Sequence, residues 1–297
     1  MKKIKIGIPR TSLYNKNGTF LKNFFLGLGC KVILSKETDT NIINIGANNI
    51  SKDNCYLNKM YLGHILQLTN SCDYIIIYTN CSYLNGCTQN MILQNNLKKH
   101  LISSKILTFN PSKNIFCEII KLGFKLSKNP IKILYSYFFA KTKQKNYDIN
   151  KHNYQKNKVN NLNNKVLIIS NYTNIEDNYT SKYIINYLEK NKITPLFSNC
   201  LPVKQALINT DYIYDKTLTK DTKILFGVIN YYKYIVKGMI YISNENCQMD
   251  KYIYSKIKEE TLKVPMINIS INEVSNNIKI ETKLELLIDT INKNNNI

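Results

Sequence analysis

Tryptophan is missing from this chain and arginine almost so, glycine and proline are scarce, and several of these shortages close off a class of function. Arg10 is the only arginine, so the formal charge of +21 is nearly all lysine. Arginine makes the bidentate contacts to phosphates and guanine edges, and its near-absence argues against a nucleic-acid partner. Lysine, asparagine, isoleucine and tyrosine abound, as AT-rich codons would supply, so codon composition explains the charge as readily as any partner does. No segment reaches the roughly 20 uninterrupted apolar residues of a membrane span. Ile224–Ile242 comes closest, but Lys233 and Lys237 interrupt it, and it divides into a helix and a strand. The basic start, Met1 to Arg10, has too short an apolar stretch for a secretory signal. A cytoplasmic location is therefore expected.

The motif inventory is equally thin. Gly7-Ile8-Pro9-Arg10 follows a strand but lacks the Gly-x-Gly-x-x-Gly spacing of a dinucleotide cradle, and no P-loop occurs. Histidines stand only at 64, 100 and 152. His152 and His100 read as solvated surface residues, and His64 as a satisfied core histidine. Eight cysteines (30, 55, 72, 81, 87, 117, 200 and 247) form no CxxC pair and no disulfide spacing. Reduced thiols that fill core space are the ordinary expectation.

What is present is a repeated α/β pattern. Short apolar runs alternate with longer amphipathic ones, the signature of parallel strands joined by helices. Lys3–Ile8, Lys31–Ser35, Asp73–Tyr78 and Lys105–Phe109 read as strands, then Lys165–Ile169, Ile193–Ser198, Gly238–Ile242 and Pro265–Ser270. Phe20, Leu21, Phe24, Phe25 and Leu28 share one helical face, which Gly29 ends. Further helices are expected over 111–140, 179–189, 223–236, 248–262 and 279–292. In both halves the second strand starts 28 residues after the first. The expected fold is two Rossmann-like lobes, each a roughly four-stranded parallel sheet flanked by helices. The lobes would span 1–110 and 165–297, joined by a helical connector and Lys/Asn-rich linker over 111–164. Residues 141–164 within it read as a solvated linker or ragged loop.

Ligands collect at the carboxyl ends of parallel strands. Cys81 and Cys87 follow the third strand of the first lobe, and Cys247 follows the third strand of the second. Cys55 precedes the apolar helix of the first lobe. Thiols converging on one cleft at helix N-termini would suit a metal or iron–sulfur cluster. Their spacing fits buried core thiols equally, and residue pattern alone favours the core reading.

A resemblance adds to this. Lys5-Ile6-Gly7-Ile8-Pro9-Arg10-Thr11-Ser12-Leu13-Tyr14, with Leu28-Gly29-Cys30 and Ser35-x-x-Thr38, resembles the family related to 2-hydroxyacyl-CoA dehydratase subunits. More narrowly it is similar to the acyl-CoA dehydratase activase-related, or CoA protein activase, branch. Asp53-Asn54-Cys55-x-x-x-Lys59 and Gly238 to Cys247 continue the match. The resemblance implies a [4Fe-4S] cluster held between two lobes by Cys55, Cys87 and Cys247, with Cys81 an alternative to Cys87. It also implies electron transfer or acyl-CoA chemistry in an anaerobic setting. Its implied partners are an ATP-dependent iron–sulfur activator protein or a related dehydratase subunit, with an acyl-CoA as ligand. The chain departs from the family where glycines and a proline would flank the cysteine, in Asn246-Cys247-Gln248-Met249-Asp250. That leaves a second expectation, a non-catalytic relative without a cluster that serves as a binding module; zinc on the same thiols is a further variant.

Overall fold

Buried apolar runs dictate the architecture, because a strand apolar on both faces must lie inside a sheet covered on both sides. The computed structural model describes residues 3–52, 54–78, 97, 106–110, 113–170, 178–210, 220–244, 247–261, 264–270 and 277–295. The chain divides into two units, Met1–Tyr147 and Asp148–Ile297. In the first, β1 (Lys5–Ile8), β2 (Lys31–Leu34), β3 (Tyr74–Tyr78) and β4 (Ile106–Phe109) pair in parallel in the order β2-β1-β3-β4. Helices α1 (Ser12–Gly27), α2 (Thr40–Asn48), α3 (Tyr56–Leu68) and α4 (Ile115–Leu126) accompany them. Alternate residues of β3 serve opposite faces. Ile76 and Tyr78 pack with Phe20, Phe24 and Phe25 of α1, whereas Ile75 and Ile77 pack with Leu62, Ile65 and Leu68 of α3.

The second unit repeats the plan. Strands β5 (Lys165–Ser170), β6 (Thr194–Phe197), β7 (Gly238–Ser243) and β8 (Met266–Ser270) pair in parallel in the order β6-β5-β7-β8. Its helices are α6 (Asn178–Lys190), α7 (Val203–Ile208), α8 (Lys220–Tyr232), α9 (Gln248–Glu260) and α10 (Asn277–Asn295), with helix α5 described below. All eight expected strands are present, and the apolar run 224–242 resolves into α8 and β7. The paired strand starts are Lys5 with Lys31 and Lys165 with Thr194, so an equal 28-residue spacing is not kept.

The first helix of each unit ends in the same way. After α1, Gly29 takes φ +83, its N–H donates to Leu26 O (2.9 Å) and Cys30 N–H donates to Phe25 O (3.0 Å). After α6, Lys192 takes φ 57, its N–H donates to Glu189 O (3.0 Å) and Ile193 N–H donates to Leu188 O (2.9 Å). Both are Schellman closures, and each delivers the chain directly into the edge strand.

Residues 141–164 depart from expectation. Instead of a ragged loop, helix α5 runs unbroken over Pro130–Val159. Pro130 suits a first helical position, and Asn129 Oδ1 accepts from Lys132 N–H (3.0 Å). Apolar periodicity misses this helix because several of its buried positions are polar. Gln144 Oε1 accepts from Phe20 N–H (2.9 Å) in the first unit. In the second unit Gln155 is fully buried. Its Nε2 donates to Phe197 O (2.8 Å) and to the Tyr232 hydroxyl (3.2 Å), and its Oε1 accepts from Phe197 N–H (3.0 Å). One side-chain amide thereby serves both backbone groups at the end of edge strand β6. His152, expected at a solvated surface, is half-buried on this helix. We expect Gln155→Leu, close in size but without the amide, to lower stability by about 2–4 kcal/mol, because it strands two buried backbone groups. Urea unfolding followed by circular dichroism measures this, and a loss below about 1 kcal/mol would refute the assigned role.

Candidate functional site

In each sheet the strand order reverses between its first and third strands, β1 and β3 in one, β5 and β7 in the other. Loops diverge at such a switch point, and the carboxyl edge there is where open α/β sheets hold ligands. The residues that follow β1, β2 and β7, together with the start of α3, are therefore the candidate site residues.

Cys55 is the N-cap of α3, and Asn58 and Lys59 N–H donate to its carbonyl at 3.1 and 3.2 Å. The turn before it is tied to the helix, since Lys59 Nζ donates to Lys52 O (2.7 Å). Asn58 Nδ2 donates to Asn54 Oδ1 (2.8 Å), and both asparagines are buried. Asn54 Nδ2, directly beside Cys55 in the chain, is a buried donor with no hydrogen-bond partner among the described residues.

Cys247 is likewise an N-cap, of α9, and its N–H donates to Asn244 O (3.2 Å). Three residues on, Asp250 is almost fully buried. Its Oδ1 accepts from the Tyr241 hydroxyl (3.0 Å), and its Oδ2 from Asn244 N–H (2.9 Å) and Nδ2 (3.2 Å). Burial pushes this carboxyl up to about 6 in spite of those three donors. No sequence pattern marked Asp250, although it follows Cys247 at the spacing of a residue in a helix's first turn.

His64 lies inside α3 with no exposed surface, as a core histidine would. It is only half satisfied. Nε2 is 3.1 Å from Thr38 Oγ1, while Nδ1 has no partner among the described residues. Burial, assisted by the nearby Arg10 charge and opposed by Asp39, holds it down at about 4.

The remaining described thiols divide cleanly. Cys30, Cys72 and Cys200 are core residues, 7% exposed each, and Cys117 is exposed on α4. Burial raises the thiols of Cys30 and Cys72. Cys55 and Cys247 are intermediate in exposure, and neither is in a disulfide. Cys81, Cys87 and His100 lie outside the described residues. Among the described residues no three His, Cys, Asp or Glu side chains gather in an arrangement that would hold a metal ion. No helix among them is long and apolar enough to cross a membrane.

The two buried titrating groups bias stability in opposite directions. Between about 3.8 and 6 the unfolded Asp250 is ionised while the folded one keeps its proton, so its contribution falls as pH rises through 6. The folded His64 stays neutral down to about 4 against 6.5 unfolded, so its contribution is lost as pH falls from 6.5 towards 4. Asp250→Asn keeps an acceptor for Asn244 and cannot ionise. We expect it to be more stable than the parent by about 2–3 kcal/mol near pH 7.5, and about equal to it near pH 3.5. Urea unfolding at both pH values checks this; an equal difference at the two would refute it.

No curated protein matches this chain. Solved structures to which it is similar include the substrate-binding protein FpvC in complex with Ni2+ from P. aeruginosa, at 12% identity over 99% of this chain and 98% of that one, with a TM-score of 0.32. Laminin-binding protein Lmb of Streptococcus agalactiae is another, at 10% identity over 95% and 100%, also with a TM-score of 0.32. Overlaps that poor carry no argument about this chain. The family comparison does: residues 5–201, about two thirds of the chain, match the CoA enzyme activase uncharacterised domain. That span takes in the whole first unit from β1 and the second unit as far as Leu201. The chain belongs to the CoA enzyme activase domain family.

Proposed function

We propose that this protein is an iron–sulfur relative of the 2-hydroxyacyl-CoA dehydratase subunits, binding a [4Fe-4S] cluster through Cys55, Cys87 and Cys247. Family membership carries the reading. Two properties of the described residues support it. Cys55, inside the matched span, and Cys247, beyond it, both occupy helix N-caps, where Ser, Thr, Asp or Asn is the usual choice, and where the helix dipole and first-turn N–H groups favour a thiolate. Beside Cys55 stands the buried Nδ2 of Asn54, without a partner among the described residues, a donor of the kind that tunes a cluster by hydrogen bonding to its sulfurs. These residues fit a thiolate-ligated group.

Bound there, such a cluster would carry single electrons, and its fourth iron, lacking a protein ligand, would be open to water or substrate. The chain's own part would be to fix two thiolates on helix ends and to hold the turns behind them, through Lys59 at one and Asp250 at the other. The electron donor would be an ATP-dependent iron–sulfur activator protein, or a related dehydratase subunit would pair with the chain, and an acyl-CoA would be the ligand, all in the cytoplasm. A second reading, a binding module without a cluster, draws on Asn246 and Gln248, which replace the glycines that let backbone approach a cluster closely.

Anaerobic reconstitution separates the two readings. The expected product is brown, contains iron and acid-labile sulfide in equal amounts, and drops to trace iron in Cys55→Ser and Cys247→Ser. Colourless protein without iron after reconstitution would overturn the cluster, and zinc as the bound metal would do the same.

A further inference from the structure

A second polar constellation lies at the other side of the first unit's switch point, at the turn from β1 into α1, and the cysteine reading does not use it. The turn is Pro9-Arg10-Thr11. Thr11 is the N-cap of α1, yet its side chain makes no capping hydrogen bond. It is 5% exposed, and its Oγ1 has no partner among the described residues. A threonine at an N-cap ordinarily accepts from the first turn, whose leading N–H groups have no partner within the helix. Here that hydroxyl is held inside the protein and left over.

Arg10 is the next left-over group. Its backbone N–H donates to Ser35 Oγ (2.8 Å), which pins the turn against the end of β2. Its Nη1 reaches Glu37 Oε1 at 3.4 Å, a long contact with a carboxylate whose side chain is 62% exposed. Its Nε is buried and unpartnered among the described residues. The third is His64. It feels the Arg10 charge, its Nε2 is engaged by Thr38 Oγ1, and its Nδ1 is buried without a described partner. Three orphaned polar atoms, two in the β1–α1 turn and one on α3, thus border the same segment after β2, since Arg10 meets Ser35 and Glu37 while His64 meets Thr38.

Buried polar atoms without partners are costly, so three together call for a common partner. Arg10 Nε is a cationic donor, and the Thr11 hydroxyl and a neutral imidazole can each donate. The dipole of the 16-residue helix α1 adds partial positive charge at the same point. The chain uses arginine once against 40 lysines, and uses it here. An arginine differs from a lysine in its planar fork, which matches the oxygens of a phosphate. Two carboxylates stand nearby. Asp39 is occupied in capping α2, accepting from Ile42 N–H (2.8 Å). Glu37, after β2, is the carboxylate that meets the Arg10 guanidinium at 3.4 Å.

We propose that the β1–α1 turn is a phosphate-binding site built from Arg10, Thr11, the N-terminus of α1 and His64. The phosphate is supplied either free or as part of a nucleotide. The site lies wholly in the first unit and does not depend on a cluster being held.

Calorimetric titration of the full-length protein with inorganic phosphate, and separately with ADP, in physiological chloride tests it. Saturable binding is expected, weakened about tenfold or more by Arg10→Gln and several-fold by Thr11→Val, without rescue by Arg10→Lys. Thermal melts of each variant check that the fold is kept. In the wild-type protein the ring-nitrogen signal of His64 should move during the same titration, a readout that needs no variant. ADP binding more tightly than phosphate identifies a nucleotide as the source, and equal affinities identify free phosphate. The proposal is overturned if neither ligand saturates, or if binding persists unchanged in both Arg10→Gln and Thr11→Val, as diffuse attraction to the lysines would. It also fails if the His64 signal stays still while phosphate binds elsewhere.

Discussion

The first unit's site depends on a place where two helix backbones touch. Gly46 of α2 and Gly63 of α3 face one another so closely that a Cβ on Gly46 would fall on the carbonyl of Lys59, and one on Gly63 on the carbonyl of Ile42. No side chain can be inserted there without separating the helices. The contact fixes α3 against α2, and α3 carries both Cys55 at its start and His64 in its middle. α2 begins at Thr40, just beyond Thr38, so the same contact brings Thr38 Oγ1 to His64 Nε2. Helix packing at this distance is set by backbone shape instead of side-chain fit. Cys55 and His64 thus inherit their places from a single steric constraint, at Gly63 beside His64 and two turns along the helix from Cys55.

The second unit solves a similar problem by different means. Its cysteine also begins a helix at the carboxyl edge of the sheet, but the family's glycines around it are gone. Three residues on, Asp250 gathers the Tyr241 hydroxyl from β7 and the backbone and side chain of Asn244. The cost is electrostatic. Three donors do not fully offset the loss of water, which is why the carboxyl is raised instead of lowered. Asp250 is thus a residue whose importance only its burial reveals.

The sheets were legible because parallel strands buried on both faces are short unbroken apolar runs, as in Tyr74–Tyr78 and Gly238–Ser243. Gly29 was legible as a helix stop, whereas its counterpart Lys192 was not, since nothing in a lysine announces φ 57. Helix α5 was missed beyond residue 140 because its anchors are Gln144 and Gln155, whose burial depends on finding particular backbone partners. Periodicity registers apolar faces and is blind to such anchors. The site was partly legible. Spacing alone did not separate Cys55 and Cys247 from core thiols; resemblance to a family did. His64 was correctly placed in the core, but its unpaired Nδ1 is a property of its neighbours and cannot be read from its own helix.

That separation of thiols has a physical side independent of ancestry. A cysteine that fills space sits where water is absent, and burial raises its pKa, keeping it neutral and inert, as at Cys30 and Cys72. A cysteine that ligates must give up its proton, and it does so most readily at a helix N-terminus with some access to solvent. Among the described thiols only Cys55 and Cys247 combine an N-cap position with intermediate exposure. Both are positions at which the sequence resembles the dehydratase-related family. The same logic applies at the β1–α1 turn. There the helix N-terminus is offered to an anion from outside the chain instead of to a thiolate within it, and the residue beside it is the chain's single arginine. Within one unit, then, the same dipole would serve two chemistries: at α3 it would favour a thiolate at Cys55, and at α1 an anion from outside the chain.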